Sequence, residues 1–142
     1  MDDAVKAARR VQINAELIPL RSRRADNIIE RNRFNHRIED LGLVRNKLQA
    51  RLSNDTSLAR TYERHDSNIS SRNYHGSRRD QYGKCIAEMA ESVRNQQMNH
   101  QSNLERLRNH IERLRIQRDN LNTVINNQNN RITALESQLR NL

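Results

Sequence analysis

The residues best suited to chemistry lie in the middle of the chain. His65, His75 and Cys85 are three donors of the type that ligate zinc. Their spacing argues against a metal centre. Zinc sites of this kind bring ligands in pairs about two to four residues apart. Here nine residues separate each neighbour from the next, and a fourth ligand is missing. The expectation is exposed loop side chains and no metal. Tyr62, Tyr74 and Tyr82 lie among Arg60, Arg64, Arg72, Arg78 and Arg79. Aromatic rings can stack on single-stranded bases while guanidinium groups meet phosphates. With the Arg21, Arg23, Arg24 cluster, this makes Arg72, Arg78, Arg79, Tyr74 and Tyr82 the candidate polyanion contacts. No sequence signature of an RNA-binding fold accompanies them.

Catalysis is not expected. Ser, His, Asp and Glu are plentiful, but a catalytic group must be held rigidly in a pocket that excludes water. Aromatic residues make up 3% of the chain, which leaves little to build such a pocket. A phosphate-binding glycine loop, a nucleophile elbow and a metalloprotease helix motif are all missing. No cofactor is implied.

Composition points to extended helix. Hydrophobic residues are 34% of the 142, with three Gly and one Pro, against about 45–50% apolar in ordinary soluble domains. Helices that meet along a narrow seam need fewer apolar residues than a globular core. The formal net charge is +9, and Arg supplies 23 of the 26 basic residues. Arg presents a rigid fork of donors suited to carboxylates and phosphates, although basic runs are often only solvated helix faces. The single Cys85 forbids an intrachain disulfide. The Asn54-Asp55-Thr56 and Asn68-Ile69-Ser70 sequons follow no apolar leader, and no run approaches membrane-spanning length. An intracellular, soluble or particle-borne protein that is not secreted is expected.

The element that must organise everything else is the last 39 residues. Leu104, Leu107, Ile111, Leu114, Arg118, Leu121, Ile125, Gln128, Ile132, Leu135, Leu139 and Leu142 follow one another in alternating steps of three and four, and ten of these twelve are Leu or Ile. A strict 3.5-residue repeat is the pattern of a left-handed coiled coil. Within it, Arg131-Ile132-Thr133-Ala134-Leu135-Glu136 resembles the R-h-x-x-h-E trimerisation motif of short parallel coiled coils. The resemblance implies that Arg131 pairs with Glu136 of a neighbouring chain. Ile and Leu at alternate seam positions, and Arg118 on the seam, suit a dimer instead. A homo-oligomer of two or three chains, a different coiled-coil partner, and an antiparallel fold-back on residues 26–52 all satisfy the seam. The seam's flanks carry Arg108, His110, Arg115 and Arg131 but only one acid, Glu136, which favours an acidic partner.

Taken in order, residues 1–52 form an N-terminal helical region. A first helix is expected over 2–18, with Ala4, Ala8, Val11, Ala15 and Ile18 as its stripe, Ile13 and Leu17 beside it, and Pro19 as its end. This basic helix suits docking on protein better than on membranes, because its apolar face is mostly Ala. A second helix over 26–52 carries a weaker frame through Asn27, Arg31, Phe34, Ile38, Leu41, Arg45, Leu48 and Leu52. Residues 53–84 have no period and read as a polar, partly disordered connector. Residues 85–142 form a long helix that pairs loosely before 104.

The fold class expected is therefore all-α, extended, with a C-terminal coiled coil. The function expected is a non-enzymatic structural protein that oligomerises through that coil. Its Arg- and Asn-rich surfaces would contact neighbouring subunits of a large assembly such as a virus particle. The competing function is an oligomeric nucleic-acid-binding protein.

Overall fold

The structure is a computed structural model that describes residues 2–71 and 76–142, with no account of the side chains of 68–71 and 77. The chain is all-α. Among the described residues its elements are two long helices, α1 (Asp3–Ser71) and α2 (Ser77–Arg140). Both helices contribute to two compact units: residues 1–39 with 112–142, and residues 40–111.

In the first unit α1 and α2 run antiparallel. Cross-links between them pass from Arg9–Gln138 at one end to Arg31–Asn122 at the other. The core is Ile13, Leu17, Ile132 and Leu135, with Leu20, Leu139 and Leu142 packed against it. The shielded positions of α1 include Ile13, Leu17, Leu20, Arg24, Asn27, Arg31, Phe34 and Ile38, again in steps of four and three. Two 3.5-residue seams laid side by side each hide a narrow stripe, which is why so few apolar residues suffice.

In the second unit the same stepping continues through Leu41, Arg45, Leu48, Leu52, Asp55, Ala59 and Tyr62 of α1, all shielded. On α2, Ile86, Ala90, Val93, Leu104 and Ile111 are buried, while Gln97, His100 and Leu107 are half-buried.

Four sequence expectations change. The first helix does not stop at Pro19, which lies exposed inside α1. An interior Pro loses one backbone hydrogen bond and crowds the preceding turn, but here it points to solvent while Ile13, Leu17 and Leu20 on either side are held by the core. That same core reverses the expected packing face. The Ala4, Ala8, Val11, Ala15, Ile18 stripe is exposed, and Ile13 and Leu17 are buried instead. Of the expected connector 53–84, residues 53–71 and 77–84 are helical, because α1 reaches Ser71 and α2 starts at Ser77, while 72–75 lie outside the described residues. Their buried positions are Asp55 and Ala59, whose polar and small side chains hide the period. Finally, the pairing before 104 is not loose, since Ile86, Ala90 and Val93 are all buried.

Gly76 marks the start of α2. Its φ of 137° lies where L side chains are strained, and its carbonyl accepts from the Asp80 amide at 3.2 Å.

Candidate functional site

All twelve positions of the C-terminal seam, from Leu104 to Leu142, are buried or half-buried within the single chain. Leu104, Ile111, Leu114, Ile125, Ile132 and Leu135 are the buried ones. The seam is thus met by α1, and its polar members find partners there or nearby. Gln128 accepts from the Asn27 amide at 3.2 Å. Arg118 turns to Asp119 at 3.1 Å.

Arg131 and Glu136 do not pair with each other. Each reaches across to α1: Arg131 binds Glu16 at 2.6 Å, and Arg21 binds Glu136 at 2.8 Å. Both pairs are about half exposed, so each is worth only about 0.2–1 kcal/mol. Their effect is to set the alignment of the two helices. An acidic partner for the basic flank is found at Arg131, to which α1 supplies Glu16.

The basic clusters are divided by the fold. Arg21 is taken by Glu136, and Arg24 donates to Asn129 at 3.0 Å, whereas Arg23 faces out. Arg78 and Tyr82 are exposed and Arg79 is half-buried. Arg72 and Tyr74 lie outside the described residues, as does His75. His65 and Cys85 are both exposed. Among the described residues, no group of three His, Cys, Asp or Glu side chains is placed to hold a metal.

The second unit holds a polar cluster that the sequence reading passed over. Asp55 is 7% exposed, and His100 Nδ1 lies 2.5 Å from its Oδ2. Gln96 donates to the other carboxylate oxygen at 3.4 Å. One turn along, Gln97 donates to Thr56 Oγ1 at 3.1 Å, and that hydroxyl donates to the Leu52 carbonyl at 3.0 Å. The signal was present in the seam phase: carried forward from Leu52, it lands on Asp55, and carried back from Leu104, it lands on His100 and Gln97. A carboxylate orienting an imidazole has the form of an acid–base pair. Here the imidazole meets Asp55 within the helix pair. A surface groove of about 560 Å³ is lined by Gln49, Leu52, Ser53, Thr56, Gln101, Leu104, Glu105 and Arg108, and not by His100. The arrangement satisfies buried polar groups and fixes one alignment of the helices, as polar seam residues do elsewhere.

The outer faces complete the picture. Val11 is 70% and Ile18 69% exposed, and Val5, Ile29, Leu43 and Val44 are also more than half exposed. Among the described residues, no helix is long and apolar enough to cross a membrane. No family model, curated protein or solved structure matches the chain.

Proposed function

We propose that this chain is a non-enzymatic structural protein: a self-paired helical element of a larger assembly that meets neighbouring subunits through its outer faces. The observation that supports this is where the apolar residues go. The strongest seam is consumed inside the chain, while the outside keeps a surplus of Arg and a row of exposed Val and Ile. In this reading the α1–α2 pairing is an antiparallel coiled coil. Oligomerisation through the C-terminal seam would require that seam to leave α1, so contact between subunits is assigned to the outer faces. A particle such as a virion is one setting that needs such an element. Size fractionation of a native extract tests the proposal. The chain should elute in a species many times its own 16.8 kDa. Elution only as a free chain of one or two copies overturns it.

A second reading is nucleic-acid binding. It is favoured by the net charge of +9 and by Arg60 and Arg64, which line one surface hollow of about 380 Å³ with Glu63 and Ser67. Filter binding of RNA and DNA across salt concentrations separates the two. A steep loss of affinity with added salt supports this reading, and no binding at low salt removes it.

A further inference from the structure

We propose that the outer face of α1 from Ala4 to Ile29 binds the same face of a second copy of this chain, with the two α1 helices antiparallel. This rests on the assembly reading above and names one of its contacts.

Three observations carry it. First, this face has its own 3.5-residue repeat, on the side of α1 away from Ile13 and Leu17. It runs through Ala4, Ala8, Val11, Ala15, Ile18, Ser22, Ala25 and Ile29, and every one of these is exposed. Ser22 is its only polar member. At about 1.5 Å per residue the stripe is about 38 Å long. Isolated exposed apolar residues are ordinary, but a contiguous row marks an interaction surface.

Second, the margins of the stripe are almost uncharged in a chain that is 30% charged. From Val5 to Pro19 they carry only Ala7, Gln12 and Asn14. Arg21 and Asp26 lie at the far end, and Arg21 is already paired with Glu136. Two copies of a chain with net charge +9 repel each other, and this face brings few like charges together. A strongly charged partner would find little here to pair with.

Third, the stripe is complementary to itself. Laid antiparallel about a centre between Ala15 and Ile18, its layers pair Ala4 with Ile29, Val11 with Ser22, and Ala15 with Ile18. In each, a branched side chain meets a small one, and Ala8 with Ala25 closes the set. Such self-matching is what an isologous two-fold contact requires. A parallel alignment would stack Ile18 on Ile18 and leave the alanine layers underfilled. A single helix–helix strip is small for an interface, so the dimer should be weak, with Kd on the order of micromolar.

Sedimentation equilibrium of the purified full chain, from about 1 μM to about 1 mM, tests this. The expected result is a reversible shift from 16.8 kDa to twice that mass. Ile18→Asp should weaken dimerisation at least about tenfold, with helicity and melting unchanged because the residue is exposed. Ala15→Leu should also weaken it by overfilling the layer with Ile18, whereas general stickiness would make that variant dimerise more tightly. Leu43→Asp, at an exposed site beyond the stripe, should change nothing. A spin label at Asp3→Cys in a Cys85→Ser background should report a separation of about 40 Å if antiparallel, from about 1.5 Å per residue, and far less if parallel. A wild-type monomer throughout, a dimer undiminished in Ile18→Asp, tighter association of Ala15→Leu, or a short label distance each overturn the inference. A purified monomer that still runs in a large species in native extract would sink this contact and leave the assembly reading standing.

Discussion

The two units solve the same packing problem with different materials. In residues 1–39 with 112–142, layers of branched aliphatic side chains alternate with polar seam positions such as Asn27 and Gln128, and Leu17 and Leu135 are each 1% exposed. In residues 40–111, several seam positions are polar or small, and Asp55, Thr56, Gln97 and His100 satisfy one another inside the pair. Apolar packing is strong but indifferent to alignment, since burial is non-directional. A carboxylate that must meet one imidazole contributes less net energy but tolerates only one alignment. The difference teaches that the first unit should dominate stability and the second should dominate pairing specificity.

That comparison can be broken most readily at Leu135. Leu135→Ala should cost about 2–5 kcal/mol, measured by chemical denaturation of the full chain. A loss below about 1 kcal/mol would mean the first unit is not the stronger. Next comes Pro19, a proline inside α1. Pro19→Ala should gain up to about 3 kcal/mol, because it restores a backbone hydrogen bond and relieves the turn before it. An unchanged melting temperature would show that α1 carries no cost there. In the second unit, Asp55→Ala should lose about 1–3 kcal/mol by orphaning His100 and Gln96. Replacing Asp55 and His100 together with Leu should recover most of that loss while loosening alignment, read as heterogeneous interhelix distances between spin labels. A single sharp distance in the double variant would remove the specificity role. The smallest effect is expected at Arg131 and Glu16. A double-mutant cycle there should give a coupling of about 0.5 kcal/mol that fades with salt.

Much of this was legible before any coordinates. Every position of the phase running from Leu104 to Leu142 is shielded, and the 26–52 frame is half-buried at all eight of its positions. Reading failed at Asp55 and Ala59, because a hydropathy period cannot be seen in residues that are small or polar, and it underrated the pairing at Ala90 and Val93, which are buried. It failed again at Pro19, where a local rule was overridden by packing on both sides. It chose the wrong face of the first helix because that helix has two apolar faces. The Ala-rich one has more members, but Ile13 and Leu17 bury more area per residue, and area is what burial rewards.

Taken alone, the order of residues determined that this chain is helical, that its apolar side chains lie in seams of 3.5-residue period, and which α2 side chains those seams contain. Only the tertiary structure placed the chain's own N-terminal half against the seam, and brought Arg131 to Glu16 and Glu136 to Arg21. The reason is physical: an apolar stripe specifies that it must be covered but not by what, and the choice falls to whichever complementary helix, with matching charges, lies within reach.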